Sequence, residues 1–173
     1  MNFSRTIAAA VVALAFAFPA WASDLPDPVL TPGVVDPGIT QANIQSTVCV
    51  KGYTKTVRPP AHYTNKLKKR QLREYGYADR NRKHYEEDHL IPLSIGGNPH
   101  DPRNLWPEPR NSERNAARKD DLEFVLYRKV CDGQISLKDA QTEIASNWIE
   151  AYKRHVHENG RGRGRRRKFG HVD

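Results

Sequence analysis

The sequence predicts an α+β fold on three observations. Two short β-favouring runs, Tyr85 to Leu93 and Asn104 to Pro107, flank a loop holding Pro92, Gly96-Gly97, Pro99 and Pro102. Apolar residues recur at helical spacing before that unit, over 63–75, and after it, from about Glu113 to Cys131 and again beyond Ser136. About 150 residues follow the N-terminal leader, which suits one compact domain plus tails.

The leader itself lies outside the domain. Arg5 gives a positive start, Ile7 to Phe18 is an unbroken apolar run, and Pro19 breaks it before Ala20-Trp21-Ala22, a small-x-small cleavage pattern. The run is shorter than the roughly 20 residues a membrane-spanning helix needs. Residues 1–22 therefore read as a secretory signal peptide. No later stretch is apolar enough to span a bilayer, so the mature chain is expected to be periplasmic or secreted, with no stable membrane insertion.

Residues 23–60 read as a Pro-rich arm. Pro26, Pro28, Pro32 and Pro37, with Gly33 and Gly38, favour extended chain over helix. Within Ile44 to Tyr53, Thr47-Val48-Cys49-Val50 suggests a short strand. The domain proper is expected over 61–155. Its first helix puts Leu67, Leu72 and Tyr75 on one face, carries Lys66, Lys68, Lys69, Arg70 and Arg73, and stops at Gly76. In the second helical segment Leu122, Leu126 and Val130 share a face up to Cys131, and Gly133 ends it. Ser136 with Asp139 forms a capping box for the last helix, whose apolar face is Leu137, Ala140, Ile144, Trp148 and Tyr152. Residues 156–173 include the Arg-Gly-Arg-Gly-Arg-Arg-Arg-Lys run, a self-repelling segment expected to be a disordered basic tail.

Charge and cysteines narrow the class. There are 28 Lys and Arg against 20 Asp and Glu, a net charge of +8, which favours a polyanionic partner. An even pair of cysteines in an exported chain invites a Cys49–Cys131 disulfide, the alternative being two separate buried thiols. Closing a loop of about 80 residues would stabilise the fold by roughly 4 kcal/mol through chain entropy.

Chemistry concentrates in Tyr85 to Asn111, where Glu86, Glu87, Asp88 and His89 abut Leu90, Ile91 and Leu93. Burying charge without a partner is costly, and a bound cation with a phosphate would supply one. Glu87-Asp88-His89-Leu-Ile-Pro-Leu, then Gly96-Gly97, then Asn104-Leu105-Trp106-Pro107 ahead of a helix resembles the HNH endonuclease family over residues 85–124. The resemblance implies a ββα-metal finger packed with additional helices, in an exported bacterial HNH-like protein. It gives His89 the general-base role and makes Asp88 a ligand of one divalent cation. Mg²⁺ is the first choice, with Mn²⁺, Ni²⁺ or Zn²⁺ as alternatives. Asn104 would bind backbone across the finger and fix how the loop presents His89.

The sequence departs from the family at the helix, where Ala116 and Ala117 stand in place of a histidine. Asn115 is the candidate second ligand and Asn111 the next. Strand alternation raises a geometric condition: Glu87, not Asp88, shares a side with His89. The chain must twist or end its pleat near His89 for the two to face one phosphate. Arg103, Arg110, Arg114 and Arg118 are candidate phosphate contacts. Lys119 and Glu123 read as a solvated i, i+4 pair, Trp106 as core, and His100 has no role.

The expected function is metal-dependent hydrolysis of phosphodiester bonds in DNA, with RNA as a second polymer, at low sequence specificity because the basic groups suit backbone contacts. One alternative is a non-catalytic exported nucleic-acid or polyanion binder on the same scaffold. Another is a cell-envelope protein whose arm docks a partner.

Overall fold

The computed structural model describes residues 25–157; the expected signal peptide lies outside them, as does the expected basic tail from residue 158 on. Val156 and His157, placed in that tail by the sequence reading, belong instead to the helical turn Lys153–His157, with Val156 packed against the core. The fold is α+β. Four helices, α1 (Tyr53–Val57), α2 (Ala61–Glu74), α3 (Ala116–Cys131) and α4 (Leu137–Tyr152), surround an antiparallel pair, β1 (Tyr85–His89) and β2 (Leu105–Pro109). Among the described residues no helix is long and apolar enough to cross a membrane.

The register of the pair decides what each strand face meets. Tyr85 lies opposite Pro109, Glu87 opposite Pro107 and His89 opposite Leu105. Side chains alternate along a strand, so Tyr85, Glu87 and His89 point one way, and Glu86, Asp88, Trp106 and Glu108 the other. Helix α2 covers the first face. Its Leu72 packs with Tyr77 and Tyr85, and Gln71 Nε2 donates to the Pro102 and Leu105 carbonyls at 3.1 and 2.7 Å. Helix α3 covers the second face, where Trp106 joins Leu122, Leu126, Ile144 and Trp148 in the main core.

Between the strands the chain turns through Leu93–Ile95 and Pro102–Asn104. Two glycines permit that path. Gly96 has φ of +77°, which side chains disfavour. At Gly97 a Cβ would lie 1.7 Å from the Ile91 carbonyl oxygen, so no other residue fits there.

The arm does not project. It runs along this loop and is bonded to it: Gly33 N–H donates to the Arg103 carbonyl, Asp36 N–H to Gly96, and Asn98 N–H back to Val34. Val35 and Gly97 pair as an isolated antiparallel bridge. The strand expected at Thr47 to Val50 is absent. That segment is a tight turn in which Thr47 and Cys49 N–H both donate to the Ile44 carbonyl and Thr47 Oγ1 donates to Asn43. With local acceptors satisfied and no neighbouring edge to pair with, β propensity has nothing to act on. Cys49 is disulfide-bonded to Cys131, 82 residues away, which ties this turn to the end of α3.

The final helix starts where its cap signals, Asp139 N–H donating to Ser136 Oγ at 3.0 Å. It is interrupted at Asn147 (φ −166°, ψ 93°). There the Asn147 side chain accepts from Ile149 and Glu150 N–H, both at 3.1 Å, and recaps the last turn.

Candidate functional site

Asn104 builds the site's frame. Its fully buried amide is bonded on both sides: Oδ1 accepts from Ile91 N–H at 3.0 Å and Val34 N–H at 3.3 Å, while Nδ2 donates to the Ile91 and Asn98 carbonyls, each at 3.0 Å. One side chain thus fastens the end of β1, the loop and the arm together.

His89 ends β1 on the α2 side and is 4% exposed. Its Nε2 lies 3.0 Å from the Pro99 carbonyl oxygen. A carbonyl only accepts, so Nε2 carries the proton and Nδ1 is left with a lone pair. Burial pushes the imidazole down to about 4, partly offset by the negative charge of Asp88 and the Pro99 bond, with Lys119 and Arg58 adding to the fall. At neutral pH the ring is therefore uncharged.

Asp88 leaves β1 on the opposite face and meets α3. Lys119 Nζ donates to Asp88 Oδ2 at 2.6 Å, to the His89 carbonyl at 2.7 Å, and to Glu123 Oε1. The sequence reading of Lys119 and Glu123 as a solvated pair is corrected here, because the Lys119 side chain has no exposure and Glu123 has 19%. The signal was legible: Lys119, Leu122, Leu126 and Val130 follow one another at helical spacing, so Lys119 lies on the buried stripe.

Two further acids complete the interior. Glu108 is fully buried, no N–H or hydroxyl of the described residues donates to either of its oxygens, and when protonated it shares a hydrogen bond with the Asp88 carboxylate. Desolvation drives its pKa well above the carboxylic range despite the pull of Lys119, with Asp88 adding to the rise. It is thus held protonated beside an ionised Asp88. Burial raises Asp88 in turn, but the Lys119 ammonium outweighs this and brings it to about 2. On the other face both Glu87 oxygens are buried and unpartnered. Desolvation pushes Glu87 up to about 9, against the attraction of Lys68 and Arg70. Strand alternation put Glu87 on the side of His89 but marked neither it nor Glu108 as a buried acid.

The expected ligands do not converge. Asp88 and His89 occupy opposite faces of β1, which keeps its regular pleat up to His89. Asn115 caps α3 rather than lying in its first turn: Oδ1 accepts from Arg118 N–H at 3.3 Å and Nδ2 donates to the Ser112 carbonyl at 3.1 Å. With Asp88 bound by an ammonium and Asn115 engaged as a cap, the pair does not fit a divalent cation in this arrangement. Among the described residues no group of three His, Cys, Asp or Glu side chains is placed to hold one.

The four arginines are likewise dispersed. Arg103 is bound by Asp101 at 2.7 Å and Arg110 by Glu86 at 2.8 Å, while Arg118 lies 6.0 Å over the Tyr152 ring and Arg114 is exposed ahead of α3. They do not form one track. His100 packs edge-on to Tyr63. Compared with family models, with curated proteins and with solved structures, the chain matches none.

Proposed function

We propose that this protein hydrolyses phosphodiester bonds of nucleic acid, DNA first, using His89 as general base on an HNH-like finger. The observation that supports this best is the fixed orientation of the His89 ring. Nε2–H is anchored on the Pro99 carbonyl, the loop carrying Pro99 is held by Asn104, and Nδ1 is free to accept. In the proposed step Nδ1 takes a proton from water, whose oxygen attacks phosphorus. The bond to one bridging oxygen breaks, and that oxygen leaves with a proton from solvent. We assign the exposed Arg58 guanidinium, whose charge reaches His89, the task of offsetting charge on the non-bridging oxygens. The Cys49–Cys131 bridge supports residence in an oxidising, exported setting.

A second reading, a nucleic-acid binder without catalysis, is favoured by two observations. Asp88 is held by Lys119, and His89 is nearly shielded from solvent.

One experiment separates them. Supercoiled plasmid is incubated with the mature protein in Mg²⁺, Mn²⁺, Ni²⁺ or Zn²⁺, and in chelator. Nicking that falls by about 100-fold or more in His89→Ala supports the hydrolase. An unchanged rate in that variant removes His89 from the chemistry. Absence of nicking in every condition, alongside tight salt-sensitive binding, leaves the binder.

A further inference from the structure

A groove of about 600 Å³ opens between α2, the turn Arg82–His84 and the outer ends of β1 and β2. Four cations line it: Lys68, Arg82, Lys83 and Arg110, with Asn65 and Asn81 between them. The charges come from three separated parts of the sequence, so no single basic run accounts for them.

The wall is built rather than incidental. Asn81 Oδ1 accepts from Lys83 N–H at 3.2 Å, His84 Nδ1 lies 2.6 Å from Asp79 Oδ2, and Arg110 N–H donates to the His84 carbonyl at 2.9 Å. Lys68 Nζ donates to the Tyr85 carbonyl at 3.1 Å, which holds its stem across the strand. Two acids bordering this region are already paired. Glu86 binds Arg110, and Asp79 binds His84. Arg82 and Lys83 are exposed and form no ion pair with a described residue. A pinned turn therefore presents two uncompensated cations beside two more.

We propose that this groove binds backbone phosphates of a nucleic-acid chain and sets the distance from that anchor to His89. The inference rests on the phosphodiester reading above for its ligand. Tyr85 at the groove and His89 are four residues apart on one strand, about 13 Å at the usual rise. Both lie on the α2 face. Duplex DNA carries a phosphate per roughly 3.4 Å of axis on each strand, so the anchor sits about four nucleotides from His89. Backbone contact of this kind carries no base information, and the groove supplies affinity without sequence preference.

The test uses the full mature chain and a fluorescent duplex DNA titrated across salt, in the wild-type background and in His89→Ala. Arg82→Gln/Lys83→Gln is compared with Lys51→Gln/Lys138→Gln, which removes equal charge at exposed sites outside the groove. The groove variant should bind at least tenfold more weakly at moderate salt. Its slope of log affinity against log salt should be shallower by about 2, near 0.9 per lost phosphate contact. The control should change little. Equal losses in both variants would show a diffuse charge effect and overturn the site. So would an unchanged slope in the groove variant. Vesicles of phosphatidylserine and phosphatidylcholine form a third arm: groove-dependent binding to them, with DNA binding intact, would assign the groove to a membrane surface instead. Because binding is also read in His89→Ala, a failed hydrolase and a failed groove give different results.

Discussion

Lys119 is the residue whose placement carries most consequence. A lone ammonium in a protein interior is costly, and here it is offset by Asp88, Glu123 and the His89 carbonyl. Removing one partner leaves the other charge stranded. Lys119→Met should therefore lower unfolding free energy by about 3–5 kcal/mol, read by urea denaturation, while Lys119→Met/Asp88→Asn should recover much of that loss. A single variant as stable as wild type would mean that Asp88 is not an uncompensated buried charge in its absence. Charge type alone hid this residue, because lysine is rarely fully buried. Spacing marks it, since it falls in step with Leu122 and Leu126, but the sequence reading as a solvated pair passed that signal over.

Among the elements, the β1–loop–β2 unit is held by backbone geometry at the loop and by one amide at its centre. Gly97→Ala places a methyl carbon against the Ile91 carbonyl, and Asn104 Nδ2 lies within 2.9 Å of the same point. The loop must shift, and the shift moves the Pro99 carbonyl that orients His89. We expect Gly97→Ala to lower the melting temperature by several degrees, since a loss of about 1 kcal/mol moves a domain of this size by roughly 2–8 °C. We also expect faster amide exchange at Ile91. Normal exchange there would show that the clash is absorbed elsewhere. This unit was readable in advance because glycine, proline and β-favouring runs punctuate it so plainly. The turn at 44–50 was not, since its β-favouring residues have local acceptors. The interruption at Asn147 was not readable either, because the apolar stripe of Leu137, Ala140, Ile144 and Trp148 continues in register across it.

Over the whole molecule, titration sets a slope. Burial holds Glu87 protonated up to about 9 and raises Glu108 and Glu123 as well. Their folded pKa values exceed the unfolded ones, so their stabilising share is complete at acid pH and is lost as pH rises. His89 acts oppositely: its folded value of about 4 lies below the unfolded 6.5, and its share is lost as pH falls through that interval. Between pH 6.5 and 9 these glutamates act in the direction of declining stability. Glu87→Gln should make that decline shallower by about 1.4 kcal/mol per pH unit, one proton's worth, as measured by denaturant melts across the range. An identical slope in the variant would exclude Glu87 as a source. Fold class and the cysteine pair were legible at this scale, but which carboxyls are deprived of water depends on packing between faces and could not be read from order alone.

The bond between Cys49 and Cys131 encloses both strands, with His89 at the end of the first, and the loop that carries Pro99 within a single covalent ring. A stabilisation of roughly 4 kcal/mol corresponds to about a thousandfold in the ratio of structured to unstructured chains. Newly made polypeptide in a thiol-rich medium would thus populate its unstructured form about a thousandfold more, relative to the structured one, than the same polypeptide after oxidation.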